Sequence, residues 1–527
     1  MTTDDLILLA LLVVVGIVLP VHRAVEVSLA AKQFSVQSAR DAEMFFHWST
    51  HLPLALGNLV SGVLVVMPNP GRGMFGAQSS TKPIFYLGCA FGVLGLLCQW
   101  FAIGIVALIV SNVLFGAMQA LCGSALLFVL MDRWKDTKAA AVGACLGSLA
   151  FAELFGSTFA VLAIDRGATC TRDGQPASNE DCDAQFLYAA DADATATAAV
   201  AACECKGFRP GGPLVVGGCL VVCLLGGLYY TECYLGPKPR SPRSAQGGKQ
   251  QQQAESPNPS AAQAAGGLKY GLNSRDQLAW TMQPATTAKQ LIRLASVGDP
   301  VLRACVAMML CGGTIQGALF AAVNSLHHHD SSHGLDDQIT GEEEKLLHGT
   351  YSLVVLLIAP IAGRSSDHLN RKVFVVAGVM IMVLGSLVCA SAVSYASDTA
   401  QRLAELFLTA LLHGLGTAAM YGATVAAVAE RALSGWRPLA VAVARSWWEV
   451  GRLLGYLIID PIVRGSELTG LCLVSLSAFV VGLYWILVFK DERAELGAQE
   501  DRPELATVQP LDDDDIEAEE QAPAAAP

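Results

Sequence analysis

Gly363-Arg364-Ser365-Ser366-Asp367-His368-Leu369-Asn370-Arg371-Lys372 is a short polar stretch, rich in positive charge, between two long apolar runs. Such a loop fits the cytosolic side of a membrane protein, where Lys and Arg are enriched. The surrounding composition agrees, since 53% of the 527 residues are hydrophobic and 15% charged, well below the ~25% charged share of soluble domains. A hydrocarbon core ~30 Å thick needs about 20 apolar residues per helical crossing, and about twelve such runs can be counted. They fall at 6–26, 46–67, 84–102, 104–131, 138–163, 212–232, 301–325, 347–362, 373–396, 403–429, 438–459 and 468–489. The prediction is an all-α polytopic membrane protein. The continuous run 84–131 is too long for one crossing and is divided near Gln99 and Trp100. The opening run lacks a basic segment before it and a small-residue cleavage site after it, so it is taken as the first span and not as a signal sequence.

The formal net charge of −12 is concentrated in the tail around Asp512 to Asp515 and Glu517 to Glu520. That end is predicted to be solvated and disordered. Basic residues are scattered over short loops, so no nucleic-acid partner is expected. The segment 236–298 holds Lys238, Arg240, Arg243, Lys249, Lys269, Arg275, Lys289 and Arg293 against only Glu255 and Asp276. Its charge places it in the cytosol, and its Pro-, Ser-, Gln- and Gly-rich composition makes it a flexible linker. Four parts follow: a six-span half at 1–235, the linker at 236–298, a second six-span half at 299–490 and the acidic tail at 491–527. Alternation of the spans puts both chain ends in the cytosol of a plasma-membrane or organelle protein.

The opening stretch also carries a family pattern: Gly363, Asp367 four residues on, then the basic pair Arg371 and Lys372. It resembles the loop between the second and third helices of each half of major facilitator superfamily transporters. The resemblance implies that Gly363 lets two helices approach closely while Asp367, Arg371 and Lys372 latch neighbouring helix ends. It implies as well that two six-helix halves rock about a midplane site lined by the first, fourth, seventh and tenth helices. Two positions depart from the pattern, His368 where the family usually has Arg or Lys and Asn370 where it usually has Gly. The first-half counterpart, Gly71 to Lys82, lacks the Asp and most of the basic residues. A latch in the second half only is therefore expected. A trace of duplication survives elsewhere, for Gly116 precedes Asp132-Arg133 by the interval that separates Gly414 from Glu430-Arg431.

Ionisable side chains inside a span are costly to insert and tend to face a cavity or a partner. Steps of four and three put Arg445, Glu449 and Arg452 of the eleventh span on one helix face. They form either a charged stripe lining a solute path or a self-neutralising ladder that locks this helix to a neighbour. Glu153, in the fifth span, has no Lys or Arg within a helical turn. It is a candidate proton-binding group or the partner of Arg445 or Arg452 across the halves. Gln119, Gln316 and His413 are polar residues in apolar helices, and interhelical hydrogen bonding competes with solute contact at each. The family resemblance raises all three as cavity candidates.

Between the fifth and sixth spans, the outer loop 165–211 holds Cys170, Cys182, Cys203 and Cys205. Thiols on an outward face are expected to form disulfides, with connectivity left open. The loop from His327 to His333 is taken as solvated, without a metal site. No phosphate-binding loop, His-Glu-x-x-His or Gly-x-Ser-x-Gly pattern occurs. No enzyme activity, cofactor or resident metal is expected, and the oligomeric state is not legible. The function expected is secondary active transport of a small organic anion or zwitterion, such as an amino acid, a carboxylate or a folate-like compound. Proton coupling and uncoupled facilitation are its two mechanistic forms, and a non-transporting receptor or scaffold on the same fold is the alternative.

Overall fold

The computed structural model describes residues 2–33, 36–66, 77–100, 105–164, 169–172, 175–177, 203–206, 300–328, 341–394, 399–432 and 437–488, with a few positions between 217 and 227. Ten long helices carry the bundle: α1 (Thr3–Gln33), α2 (Val36–Val66), α3 (Ala77–Trp100), α4 (Ile105–Arg133), α5 (Lys138–Ile164), α6 (Pro300–His328), α7 (Gly341–His368), α8 (Arg371–Ser394), α9 (Thr399–Arg431) and α10 (Arg437–Val488). The bundle lies within one compact unit, Met1–Phe489. The linker 236–298 and the acidic tail lie outside the described residues. Division of the long run 84–131 falls where the sequence suggests, with α3 ending at Trp100 and α4 beginning at Ile105.

Among the described residues, nine stretches are long and apolar enough to cross a membrane. The predicted runs 46–67 and 438–459 are helical, in α2 and the first part of α10, yet are not among the nine. Both are diluted by polar side chains, and these are the helices that meet at the site described below. Most of the sixth predicted run lies outside the described residues; of those described, Gly217, Gly226 and Gly227 stand against Leu96 of α3, Leu11 of α1 and Phe85 of α3. The eleventh and twelfth runs belong to one helix of 52 residues. Drawn straight it would measure about 78 Å, more than two hydrocarbon cores. Its first part packs on α6, with Gly455 against Ala318, and its last part on α8, with Gly482 against Val379.

Leu357, Ile361, Val373, Leu476 and Leu487 are exposed along the outside of the bundle. In water such a surface would aggregate; in lipid it is the solvated face. Inside, Leu8, Phe115, Met118, Met308, Met309 and Trp485 are wholly enclosed. Helices in lipid gain no hydrophobic drive from meeting one another, so small residues that allow close backbone approach take over. The α6–α10 pair is built this way. Added Cβ atoms at Gly313 and Gly317 would collide with the carbonyl oxygens of Trp448 and Arg452, and one at Gly451 with that of Leu310.

The trace of duplication has a structural counterpart. A Cβ at Gly116 of α4 would stand 3.1 Å from the Thr50 carbonyl oxygen of α2, and one at Gly414 of α9 stands 3.0 Å from that of Tyr351 on α7. Each glycine thus seats the same kind of helix pair in its own half.

A small sheet adds to the helical membrane region. Strands β1 (Thr169–Arg172), β2 (Gln175–Ala177) and β3 (Cys203–Lys206) are antiparallel in the order β2-β1-β3. Arg172 pairs with Gln175 around the dipeptide Asp173-Gly174, a sequence strongly suited to two-residue hairpins. The sequence reading left this loop without strands, although that dipeptide is a hairpin signal. Side chains of Cys170, Cys182, Cys203 and Cys205 lie outside the described residues, and the expected disulfides are absent from what is described. The backbone register does set Cys170 opposite Cys205.

Candidate solute site and interhalf latch

The halves are joined chiefly by α5 with α7 and α2 with α10, and α5 also touches α9, where Gly422 lies against Ala139 and Gly143. At one end of the bundle, α7 runs through Gly363 to His368, and only Leu369 and Asn370 separate it from α8. The polar stretch is therefore mostly the last turns of a helix, not a loop. Asn370, one of the departures from the family pattern, accepts the Lys372 backbone N–H at 2.8 Å and so caps α8. Lys372 itself is half-buried.

Asp367 is buried and serves the other half. Its Oδ1 accepts the Ala139 N–H at 3.1 Å and its Oδ2 the Ala140 N–H at 2.8 Å, where the first turn of α5 leaves backbone donors without intrahelical partners. Arg371 binds Asp367 at 2.8 Å and reaches Glu430 at the end of α9 through both terminal nitrogens. Close approach makes this possible, because an added Cβ at Gly363 would collide with the Ala139 carbonyl oxygen and one at Gly143 with that of Ala359. Farther along, contacts relax: a Cβ at Gly147 would sit 3.2 Å from the Leu356 carbonyl oxygen, and one at Gly349 would sit 3.5 Å from Leu154. The first-half counterpart, Gly71 to Lys82, lies largely outside the described residues. Elsewhere in that half Arg133 ties α4 to the start of α1, through Asp4 and Asp5 at 3.1 Å each.

Deeper in the bundle, the three charged residues of α10 meet α2 and α4. Glu449 Oε2 lies 2.9 Å from His51 Nδ1 and 3.8 Å from Arg452 Nη1. Stacked against His51 at 6.0 Å between ring centroids is Tyr456. Arg445 Nη1 donates to Ser124 Oγ at 3.0 Å, and the Ser124 hydroxyl donates onward to Asn58 Oδ1 at 2.9 Å. Ser446 donates to the Ala55 carbonyl at 2.8 Å, holding α10 against α2. Trp448 packs edge-on against Tyr421 at 5.0 Å, in keeping with a packing role.

Glu153 is half-buried on α5, and its charge acts on Arg452 and on Tyr351. Arg452 thus feels Glu153 across the halves, without an ion pair between the two among the described residues. Gln316 of α6 donates from Nε2 to Tyr351 at 2.5 Å, while its Oε1 is buried with no hydrogen-bond partner among the described residues. Gln119 is half-buried, with its Oε1 in the same condition. His413 is apart from this group. It is enclosed between α9 and α8, 3.2 Å from Ser386 Oγ, and a Cβ at Gly385 would stand 2.5 Å from its ring.

The structure therefore gathers Arg445, Glu449, Arg452 and Glu153 across the halves, with Gln316 nearby, and sets His413 in an interhelical contact. Missed by the sequence reading were His51, Asn58, Ser124, Tyr351, Tyr421 and Glu430. His51 and Asn58 carried a usable signal, two polar side chains seven positions apart and so on one helix face of the run 46–67.

Helical bundle, latch and buried charges together define a class, a polytopic membrane protein with charged groups at its core. More specifically, residues 338–524 match the family model of the major facilitator superfamily. A crystal structure of the E. coli fucose:proton symporter FucP, in a variant form, is similar at a TM-score of 0.55 and 12% identity. The match covers 93% of this chain and 100% of that one. No curated protein matches the chain.

Proposed function

We propose that this protein moves a small organic anion or zwitterion across a membrane by alternating access, with proton coupling through buried carboxylates. The observation that carries the reading is the meeting of Arg445, Glu449 and Arg452 with His51 and Ser124 of the opposite half. Charges buried in a membrane protein are retained where they meet a partner or a solute. Here they sit on the seam that must part for alternating access. On this reading the latch end is cytosolic and shut, both termini lie in the cytosol, and Asp367, which Arg371 holds in place, must let go of α5 for release to that side. Glu449 and Glu153 are the proton-binding candidates, and Gln119 and Gln316 are polar solute contacts. His413 acts as an interhelical tie. The structurally similar symporter couples its solute to protons, which supports a symport form here. Disulfides in the outer loop belong to the same reading, with Cys170 and Cys205 as the pair.

Uptake into proteoliposomes across a solute panel, with and without an imposed pH gradient, tests the proposal. Accumulation driven by the gradient is expected in the wild-type protein. Glu153→Gln and Glu449→Gln should abolish accumulation while leaving solute exchange. Flux with unchanged pH dependence in both variants would refute coupling at these carboxylates.

A further inference from the structure

Arg445 and Arg452 lie seven residues apart on one face of α10, but their surroundings differ. Arg452 feels two carboxylates, Glu449 at 3.8 Å from the same helix and Glu153 from α5. Arg445 has no carboxylate within ion-pair distance among the described residues; its charge reaches Glu449 only from farther off. Around it instead stand neutral polar groups from four helices. These are Ser124 of α4 at 3.0 Å, Asn58 of α2 behind that hydroxyl, Tyr421 of α9 and the Cys145 thiol of α5. A half-buried guanidinium without a counter-charge is costly to keep.

From this contrast we infer that Arg445 is the anion-binding group of the solute site, and that the group it binds is a carboxylate carrying a single negative charge. This rests on the transport reading above and narrows it. Ser124 gives its proton to Asn58 and offers a lone pair to Arg445, which fixes the guanidinium in place. Remaining N–H groups of the fork suit a planar carboxylate in bidentate contact. With one of the two carboxylates, Glu449 or Glu153, holding the coupled proton, the two arginines leave one net positive charge that a single negative charge balances, so a doubly charged phosphate ester would bring an uncompensated charge into the seam. Arg452 belongs to the lock with Glu449 and His51, where the charge of Glu153 also acts on it.

The test uses purified full-length protein and carboxylates matched to their amides in shape, benzoate with benzamide and nicotinate with nicotinamide. Thermal stabilisation and solute counterflow are both measured. Stabilisation by at least one carboxylate and not by its amide is expected, with affinity falling about 30-fold or more in Arg445→Met. Arg445→Lys should keep the preference for the charged member at reduced affinity, which guards against a variant that only misfolds. Equal response to carboxylate and amide, no response to any carboxylate, or unchanged carboxylate affinity in Arg445→Met each overturns the assignment. Solute flux that is indifferent to Arg445→Met would overturn it while leaving the transport reading intact. Carboxylate binding without flux of any solute would do the reverse.

Discussion

Asp367 of α7 accepts the backbone N–H of Ala140 on α5 at 2.8 Å, so one carboxylate fastens a helix end of the second half to a helix start of the first. Losing a capping carboxylate costs about 0.5–2 kcal/mol, which would shift the balance between closed and open forms by roughly 2- to 30-fold. Asp367→Ala is expected to loosen this end of the bundle. A cysteine introduced at buried Ser366 should then be alkylated faster than in the latched protein, and equal rates would count against the latch.

His51 and Glu449 hold the halves together at mid-bundle, where both side chains are largely shielded. A double-mutant cycle of His51→Ala and Glu449→Gln, read by thermal unfolding, should give a coupling energy of about 0.5–3 kcal/mol. Additive effects would mean that the contact contributes nothing to closure.

The α6–α10 pair leaves no room for side chains at its glycines. Gly313→Val should lower the yield of monodisperse protein, since overpacking of this kind costs about 1–3 kcal/mol. Gly123→Ala serves as the control, because an added Cβ there meets nothing within 4 Å. Size-exclusion profiles of the two variants in detergent should diverge.

In the outer sheet, the register that sets Cys170 opposite Cys205 predicts a linkage between these two. Peptide mapping without reductant should recover them as one cross-linked species. Recovery of Cys170 joined to Cys182 or Cys203 would show that the register does not decide the pairing.

The membrane architecture was legible because the bilayer imposes a length and a composition on each crossing, and α1, α4, α6 and α8 meet both plainly. Helices that carry the chemistry were the hardest to see in the same terms. Crossings by α2 and the first part of α10 are blurred by His51, Asn58, Arg445, Glu449 and Arg452, the side chains that make the site. Spacing along α10 revealed one face of that site. The opposite face comes from residues hundreds of positions away, such as Ser124 and His51, which only the packing of the halves brings near. The Arg371–Glu430 contact was hidden differently, since it joins two helix ends within the second half that lie 59 positions apart in the chain.

Gly313 and Gly317 of α6 pack on the backbone of Trp448 and Arg452, so part of the charged stripe is held by main-chain contact between two helices. A main chain anchored in this way carries its side chains as one unit. Arg445, Glu449 and Arg452 therefore travel with the second half, while His51 and Glu153 travel with the first. Switching access then means separating two sets of polar groups, so the free energy of opening the seam includes the hydration of the charges it uncovers.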